Sequence, residues 1–456
     1  MSLSFKYDHK IKNNIALISK LTGPIRYQEI EIEFQKFKKK IPKRSLIFLF
    51  ADNTISSIVS YICSIKNDCI ILILDINTSK KDILKLFKSY KPSFIIASNS
   101  IFKEFDISKY EKIIGIFSYK VLKTNYKNDY KLNKDICLLL STSGSMGAKK
   151  FVKLSKENIK ENTKSIIRYL KINSNDRTIT NMSFAYSYML SVINTHIEKG
   201  GSIYLTQNSI LNKEFWKEYY NNKITSFNGV PYIYKIILKL GLDKIYTSYL
   251  KTMTQAGGKL DDISTKKIIE FCKKKRVKFI TMYGQTEASP RISYLSWTNA
   301  LKKIGSIGKS IHGGKMWIQK KGKKITEPGV IGDLIYEGKN VSLGYSKNYK
   351  DLLRGDDNKG VLNTEDLACF DLEGFFYIKG RKKRIVKLFG NRFDLNEIEE
   401  RINKNGQEIV CTGTNDELNV YYTNTNSKKK ILSQIIKITK QNKDVFKMRL
   451  LTKFPR

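Results

Sequence analysis

The feature that most constrains the fold of this chain is a regular alternation of short apolar runs with longer amphipathic stretches. Near the N-terminus the apolar runs occupy residues 45–50, 69–74 and 94–97, and the amphipathic stretches between them occupy 54–66 and 79–90. Apolar runs of this length are typical of buried strands, and stretches with helical periodicity are typical of helices that pack on them. The alternation therefore predicts an α/β fold built on parallel strands.

The same alternation returns later in the chain and then changes. The later elements are predicted strands at 202–206, 224–228 and 278–282 and predicted helices at 209–220 and 263–275. Beyond residue 320, short strands with glycine turns are predicted at 332–337 and 374–379. From Asp394 a smaller unit begins, with predicted helices at 396–404 and 428–441 and strands near 408–410 and 418–422. We expect a large domain over residues 1–382 and a small one over residues 383–456.

The strong positive charge does not by itself identify a nucleic-acid protein. The 456-residue chain carries 83 Lys and Arg against 42 Asp and Glu, a formal charge of +41. Its Lys residues are spread along both halves and accompany abundant Ile, Asn and Tyr, which also have A/T-rich codons. A dedicated nucleic-acid protein usually gathers its basic residues in one patch or module. The charge favours a solvated surface and no specific nucleic-acid partner, with a selected nucleic-acid or membrane surface as the alternative.

The cysteines and the apolar runs indicate the cellular compartment of the protein. The 6 cysteines stand far apart, with no Cys-x-x-Cys pair. That spacing favours reduced thiols in the core over a disulfide framework or a zinc site. The first residues contain no apolar signal core, and the longest apolar run, 69–74, is too short to cross a bilayer. These features predict a cytoplasmic protein with no membrane span.

A turn rich in Ser and Gly follows a predicted buried strand at 138–140. Residues 141–150 are Ser-Thr-Ser-Gly-Ser-Met-Gly-Ala-Lys-Lys, and Ser155 after them can cap a helix over 156–170. Backbone N–H groups and hydroxyls in such a turn can converge on an anion, and a terminal Lys adds a mobile positive charge. The turn is not a P-loop, because the spacing of its glycines differs and its Lys is not followed by Ser or Thr. The turn indicates a polyphosphate site, with an ordinary surface loop as the alternative.

Two further groups of residues could serve the same chemistry. Tyr283 and Glu287 follow the predicted strand at 278–282, and ligands of α/β proteins bind at the carboxyl ends of such strands. A Glu there can hold Mg²⁺, and a Tyr can stack on a base. Farther along the chain, the carboxylate of Asp366 can accept both hydroxyls of a ribose, with Arg381 as a nearby donor. The alternative for each group is an ordinary strand and loop.

The order of these motifs resembles that of the adenylate-forming superfamily of acyl-CoA synthetases, adenylation domains and luciferases. Any one motif is weak evidence, whereas their joint order along most of the chain is specific. The residues that carry the resemblance are 27–30, 142–147, Lys150, Val152, Ser155, Asn158, Gly257, Gly258, 283–287, Thr364, Asp366, 374–376, Gly380, Arg381, Lys387, Gly390 and 397–399.

The resemblance implies that the chain uses ATP to convert a carboxylic acid to an acyl-adenylate, releases pyrophosphate, and transfers the acyl group to a thiol. The implied cofactors are ATP, Mg²⁺ and coenzyme A or a phosphopantetheine, and fatty acids are the expected acids. The implied fold is a large domain of mixed and parallel sheets with flanking helices and a small distorted barrel, followed by a small mobile α+β domain. The alternatives are an enzyme that loads an acyl carrier protein and a nucleotide- or acyl-binding pseudoenzyme.

Carried over position by position, the resemblance also implies roles for single residues. The set for the β- and γ-phosphates is Thr142, Ser143, Gly144, Ser145, Gly147 and Lys150. The set for the AMP moiety is Gly257, Gly258, Tyr283, Gly284, Gln285, Thr286, Asp366 and Arg381. The implied catalytic residues are Lys150, Thr286, Glu287 and Arg381, of which Glu287 is the metal ligand. Lys383 is the implied hinge, and Gly390 lies in the implied thiol channel.

Several positions depart from the motifs that they otherwise match. Met146, Lys149, Phe151 and Glu365 stand where a hydroxyl residue, Pro, Gly and Gly are usual, and each departure is expected to weaken one contact or turn. At the C-terminal end, residues 454–456 match a Pro-Arg pair that the family follows with Gly-Lys. We therefore expect this sequence to lack the family's adenylation Lys. Either the chain is truncated, or another group substitutes for this Lys, or adenylation is slow.

One segment, residues 183–187, indicates which class of acid the chain activates. Members that activate amino acids carry an Asp here, and Ala185 cannot pair with an ammonium group. This favours a neutral acyl acid over an amino acid, with Tyr186 and Ser187 at the acyl pocket. The alternative is that Phe184, Tyr186 and Tyr188 only pack in the core. The 3 histidines lie outside every motif and are expected to be packing or surface residues, with a place at the acyl pocket near His196 as the alternative.

Overall fold

The computed structural model describes most of the chain, and its elements are numbered here in chain order. The described residues are 11–105, 110–126, 132–141, 150–381, 385–389, 391–403, 407–414, 416–424 and 427–452. The helices are α1 Tyr27–Lys40, α2 Ile55–Lys66, α3 Lys80–Tyr90, α4 Asn99–Phe105, α5 Lys156–Leu170, α6 Ser187–Lys199, α7 Lys213–Asn221, α8 Pro231–Leu240, α9 Asp262–Lys274, α10 Leu395–Asn403 and α11 Lys428–Thr439.

The strands are more numerous than the helices and mostly short. They are β1 Ile15–Ser19, β2 Gly23–Arg26, β3 Leu46–Ala51, β4 Ile70–Asp75, β5 Phe94–Ser98, β6 Glu111–Ile116, β7 Tyr119–Lys123, β8 Ile136–Ser141, β9 Phe151–Ser155, β10 Arg177–Ile179, β11 Ser202–Leu205, β12 Ser226–Gly229, β13 Thr252–Gln255, β14 Lys278–Tyr283, β15 Ser293–Leu295, β16 Lys309–Ser310, β17 Gly314–Lys320, β18 Lys323–Ile325, β19 Gly332–Gly338, β20 Tyr345–Ser346, β21 Val361–Phe370, β22 Phe376–Arg381, β23 Ile385–Leu388, β24 Asn391–Asp394, β25 Ile409–Thr414, β26 Glu417–Tyr422 and β27 Phe446–Leu450.

Two large mixed sheets form the N-terminal part of the molecule. One has eight strands in the order β20-β9-β8-β4-β3-β5-β7-β6, and the other has nine in the order β16-β15-β14-β13-β12-β10-β11-β1-β2. The central strands pair in parallel, as β12, β13 and β14 do, whereas β9 and β15 pair antiparallel with their neighbours. Because β12, β13 and β14 run in parallel, the segments that follow them meet at one edge of the sheet, where α/β proteins bind ligands.

The core between the two sheets is built around α2 and α6. All residues of α2 up to Ile65 are buried, as are all residues of α6 up to Ile197. Alternate residues of β3 enter two different cores: Ile47 and Leu49 pack with α2, and Phe48 packs on the other face with α3. A strand covered on both faces is apolar throughout. This double burial is the reason why such strands could be predicted from the sequence.

The C-terminal third contains the smaller units. A five-stranded antiparallel sheet, β18-β17-β19-β21-β22, stands where the sequence predicted short strands with glycine turns. After it, β23 to β27 with α10 and α11 enclose a core of their own that includes Val386, Leu388, Ile398, Cys411 and Ile431. The predicted α/β class, with a large N-terminal and a smaller C-terminal part, is confirmed. The exact boundary at 382/383 stays a prediction.

The ends of the helices follow local capping chemistry. Ser155 caps α5 as predicted: its hydroxyl accepts the N–H of Asn158 at 3.0 Å, and the Asn158 side chain accepts the N–H of Ser155 at 2.9 Å. The helix predicted from residue 209 instead begins at Lys213, because the Asn212 side chain accepts the N–H of Glu214 at 2.9 Å and caps it there.

Two expectations about the whole chain can be compared with the fold. The 6 cysteines are all buried thiols outside any disulfide. Among the described residues, no helix combines the length and the apolar character that a membrane crossing requires.

Candidate active site

The segment from Tyr283 to Glu287 leaves the carboxyl end of β14 and turns back into β15. Thr286 and Glu287 lie in one 3₁₀ turn, and both are buried. The returning chain comes so close that a Cβ on Gly284 would lie 1.9 Å from the carbonyl oxygen of Pro290. Only a glycine fits such an approach. Because residue 284 is a glycine, the chain can fold back tightly here, and the turn places Glu287 at the edge of the sheet.

A cavity of about 170 Å³ lies beside this turn, at the carboxyl ends of β13 and β14. It gathers residues from several separate parts of the chain, including Gly257, Gly258, Tyr283, Gly284, Asp366, Arg381 and Lys387. Gly257 has a φ of +83°, and a Cβ there would lie 2.6 Å from the hydroxyl oxygen of Tyr186. The sequence assigned all of these residues except Lys387 to one nucleotide site, and the structure brings them together.

Tyr283, Asp366 and Arg381 form a connected group in the wall of this cavity. The Tyr283 hydroxyl donates to Oδ2 of Asp366 at 2.5 Å, and Nε of Arg381 forms an ion pair with Oδ1 at 3.1 Å. Burial raises the pKa of Tyr283 well above its usual value, and the charge of Asp366 raises it further. The phenol therefore stays protonated as a donor. Tyr283 and Arg381 hold the Asp366 carboxylate in a fixed orientation, in which it can accept hydrogen bonds from hydroxyl groups of a ligand.

The backbone before Asp366 explains how the motif tolerates Glu365 in place of glycine. Glu365 has a φ of +62°, and this left-handed conformation costs a residue with a Cβ roughly 1–2 kcal/mol. The Thr364 hydroxyl donates to the carbonyl of Leu334 at 2.8 Å and accepts the N–H of Asp366 at 3.2 Å. These bonds hold the turn, so the departure strains the backbone but leaves the carboxylate of Asp366 in place.

Glu287 is linked to Lys150 through the side chain of Tyr345. The Tyr345 hydroxyl donates to Oε1 of Glu287 at 2.8 Å, and Nζ of Lys150 lies 3.8 Å from the centre of the Tyr345 ring. Burial raises the pKa of Tyr345, and the charge of Glu287 raises it further, so this hydroxyl also remains a donor. Two predicted catalytic residues that are far apart in sequence therefore contact the same tyrosine.

The predicted acyl-pocket residues lie on either side of the start of α6. The hydroxyl oxygens of Ser187 and Thr286 are 3.1 Å apart. Tyr186 lines a larger cavity of about 640 Å³, to which Phe389 of the small domain also contributes. By contrast Tyr188, 1% exposed, packs in the core, as the alternative interpretation proposed for the aromatic residues.

Several predicted residues cannot be placed, and several contacts were not predicted. The turn at 142–147, together with Lys383 and Gly390, lies outside the described residues, as do residues 454–456, so their implied roles stay predictions. Gln285 is buried next to Thr286. No role was predicted for Tyr345, for Lys387, whose Nζ donates to the carbonyl of Gly257, or for the buried Arg291. Only Lys387 had a sequence signal, its place within a matched motif.

Comparison with protein families and curated proteins places these features in context. A model of a family described as AMP-binding enzyme matches residues 37–346. A 2-succinylbenzoate--CoA ligase of Geobacillus sp. (strain WCH70) is 27% identical over 289 residues, which is 62% of this chain and 56% of the relative. The same-named protein of Bacillus cytotoxicus is 33% identical over 165 residues, 36% of this chain and 33% of the relative. The match thus spans less than two thirds of the length of these relatives.

Solved structures share the fold over nearly the whole chain. A mutant of o-succinylbenzoate CoA synthetase from Bacillus subtilis, bound to a product analogue, has a TM-score of 0.77 at 18% identity, covering 97% of this chain and 93% of its own. MatB from Rhodopseudomonas palustris, bound to ATP, has a TM-score of 0.69 at 16% identity, with 100% and 96% coverage. At these identities the likeness concerns the fold alone. None of the relatives described here is named for a fatty acid, so the fatty-acid expectation gains no support.

Proposed function

Because the chain belongs to the AMP-binding enzyme family, we propose that it activates a carboxylic acid with ATP and passes the acyl group to the thiol of coenzyme A. The observation that carries the proposal is the cavity at the ends of β13 and β14, where glycine backbone, a tyrosine and a carboxylate–guanidinium pair meet. These groups suit the adenine and ribose of ATP. Thr286 and Glu287 lie on the turn beside the same cavity.

The proposed reaction has two steps. In the first, a carboxylate oxygen of the acid attacks the α-phosphorus of ATP, the bond from this phosphorus to the oxygen that bridges the β-phosphate breaks, and pyrophosphate leaves. In the second, the sulfur of coenzyme A attacks the acyl carbon, the bond from this carbon to the AMP oxygen breaks, and the thiol proton passes to solvent. Negative charge builds on the phosphate oxygens in the first step, so donors and cations that are fixed in advance lower its barrier.

The contacts of the described residues support a role for each. Asp366 would accept the ribose hydroxyls, because Tyr283 and Arg381 hold its carboxylate in place. Thr286 would donate its hydroxyl to the α-phosphate while Ser187 orients it. Lys150 would move from the ring of Tyr345 to the β- and γ-phosphates, since an ammonium group binds an anion more strongly than an aromatic face.

The described residues fit a magnesium ion that one protein carboxylate holds. Mg²⁺ usually keeps several waters and takes one or two carboxylates besides the substrate phosphates. Glu287 is 8% exposed, and the hydroxyl of Tyr345 orients one of its oxygens. Within the described part of the chain there is no group of three or more His, Cys, Asp and Glu that could hold a metal, which agrees with a single-carboxylate site. When bound, the ion would neutralise charge on the transferring phosphoryl group.

The acid and the arrangement of the domains are finer parts of the proposal. We propose 2-succinylbenzoate as the first acid to test, because the curated relatives are named for it. We also propose that a small domain from residue 383 rotates about Lys383 and brings Gly390 to the thiol channel, as the family resemblance implies. Its separate core supports a division near this point. The buried thiols suit a reducing compartment, and we propose the cytoplasm.

The test measures the two steps separately. Exchange of labelled pyrophosphate into ATP is measured with 2-succinylbenzoate and a panel of other acids, and thioester and AMP are measured after coenzyme A is added. We expect acid-dependent exchange and thioester formation. A thioester that forms only with a phosphopantetheinylated carrier protein would favour the carrier-loading alternative. ATP binding without exchange, and without thioester from a supplied acyl-adenylate, would favour the pseudoenzyme.

A further inference from the structure

A second interior cavity, of about 260 Å³, lies between α6 and the strands β12 to β14. Its wall includes Lys278, the first residue of β14, and Met282 near the end of that strand, a span of about 13 Å at the usual rise per residue. Met282 also lines the nucleotide cavity. The second cavity therefore extends from the wall of the candidate nucleotide site along the length of β14.

Arg291 brings a buried charge to this cavity. The residue is 3% exposed, and its Cζ lies 4.2 Å from the centre of the Tyr188 ring. Among the described residues no carboxylate forms an ion pair with Arg291, and its buried Nε has no hydrogen-bond partner. Burial keeps the neighbouring Tyr169 protonated, because it raises the pKa of that phenol and outweighs the opposing charge of Arg291. No phenolate therefore balances the guanidinium.

A buried guanidinium without a counter-charge is unfavourable and cannot escape by losing its proton. Arginine stays charged inside proteins, and the removal of a lone charge from water is costly even after the protein relaxes around it. The face of Tyr188 offsets only part of this cost by a cation–π contact. An anion in the cavity would supply the missing counter-charge.

The surroundings hold Arg291 in place before any ligand arrives. Its carbonyl accepts the side-chain amide of Asn340 at 2.8 Å and that of Asn162 at 3.0 Å. The oxygen atom of the Tyr188 hydroxyl lies 2.7 Å from that of Thr254, so the ring that supports the guanidinium is fixed as well. A site organised in advance loses little entropy when it binds.

The other charged residues of the cavity wall also favour an anion. Lys171, Lys251 and Lys278 line it, and the acidic residue Asp176 is already paired with Lys251 at 3.3 Å. Burial lowers the pKa of His196, which therefore stays neutral near pH 7. The sequence left open a place for His196 at the acyl pocket, and the structure puts it in this cavity.

We propose that Arg291 binds a second carboxylate of the acyl substrate, so that the chain prefers dicarboxylic acids to matched monocarboxylic acids. The inference rests on the proposed function and replaces the expectation of a neutral acyl group. Met282 lines both this cavity and the nucleotide cavity, so the inference places one carboxyl of a diacid at the turn that carries Thr286 and Glu287 and the other at Arg291. Ala185 is compatible with this substrate, because the site needs no partner for an ammonium group.

The test compares acids that differ by one carboxylate. The pairs are 2-succinylbenzoate with 4-oxo-4-phenylbutanoate, and glutarate with butyrate. For the natural protein we expect kcat/KM in pyrophosphate exchange to favour at least one diacid by about 10- to 100-fold, the range that one charge-assisted hydrogen-bonded contact supplies. Arg291→Gln should lower this ratio at least tenfold, and Arg291→Lys should restore part of it. If neither pair favours the diacid, the inference is wrong, whether or not the variants fold.

A matched control and a binding measurement separate this inference from the proposed function. Arg44 is a partly buried arginine in the turn before β3, and its guanidinium donates to the carbonyl of Ile136 at 2.9 Å. Arg44→Gln should lower stability without changing the diacid ratio, and an equal change of that ratio in both variants would overturn the inference. Calorimetric binding of the diacids is measured with α,β-methylene-ATP present. Diacid binding that Arg291→Gln abolishes, in a protein without exchange activity, would support this inference and refute the proposed function.

Discussion

Replacing Asp366 by Asn tests the ribose site most directly. The carboxylate of Asp366 accepts from Tyr283 at 2.5 Å and pairs with Arg381 at 3.1 Å, and the exposed fractions of the Asp366 and Arg381 side chains are 13% and 20%. Asparagine keeps the shape and one acceptor oxygen but loses the charge. Hydrogen bonds to charged groups contribute about 1.5–3 kcal/mol each. We expect a loss of about 2–3 kcal/mol in ATP binding, which corresponds to a roughly 30- to 150-fold rise in Kd.

The assay pairs this substitution with removal of the ribose hydroxyls. Calorimetric Kd values for ATP and 2′,3′-dideoxy-ATP are measured for the natural protein and for Asp366→Asn, which forms a double-mutant cycle. The natural protein should bind the dideoxy nucleotide far more weakly than ATP, and the variant should distinguish the two by less than about threefold. If the variant weakens both nucleotides by the same factor, Asp366 does not contact the ribose.

Asp371→Asn is the control for the loss of an acidic residue near the same strand. Asp371 follows β21 and pairs with Lys303 at 2.8 Å, outside the nucleotide cavity. Its substitution should leave the Kd of ATP unchanged. Thermal unfolding of both variants checks the fold, because Asp366→Asn also leaves Arg381 without its counter-charge and should cost about 1–3 kcal/mol of stability.

Three further predictions concern the metal, the tight turn and the cysteines. Glu287→Gln should lower pyrophosphate exchange by about 10²-fold or more and weaken Mn²⁺ binding to the ATP complex in an electron paramagnetic resonance titration, whereas Glu214→Gln, a surface control, should change neither. Gly284→Ala should destabilise the fold by about 3 kcal/mol or more in chemical denaturation, because its Cβ would lie 1.9 Å from a carbonyl oxygen; Gly380→Ala, with nothing within 4 Å, should cost less than about 0.5 kcal/mol, and equal effects would refute the reasoning. Burial raises the pKa of Cys137 to about 12, so the native thiol should resist iodoacetamide at pH 8 and react on unfolding; rapid native alkylation would contradict this.

Much of the N-terminal architecture was predictable because its strands are buried on both faces. The run at β3 is apolar throughout, since Leu49 and Phe48 point into two different cores. A continuous apolar run of this kind predicts a buried strand whichever segments pack against it. The antiparallel strand β15 gave no comparable signal, because it is only three residues long and is held in place by pairing with β14 on one side and β16 on the other.

The motifs determined which residues form the candidate site, and the fold alone determined how they meet. Tyr283 and Asp366 were each identified from their own local motif, but their hydrogen bond depends on the packing of the Tyr283 side chain against β21 and β22. The turn before Lys150 was identified from its glycines, yet the contact of Lys150 with Tyr345 had no signal at either residue. A motif of neighbouring residues can be identified from the sequence alone. A contact between residues that are distant in sequence depends on how the chain folds.

Arg291 shows the difference between what the sequence determines and what only the tertiary structure decides. In the sequence it is one basic residue among 83 and follows no spacing rule. In the structure it is 3% exposed, rests on the ring of Tyr188 and faces a cavity. The sequence by itself determined the strands that are buried on both faces, the order of the motifs and hence the family. Only the tertiary structure decided which charges are buried without a partner, because burial depends on every segment that packs around a side chain.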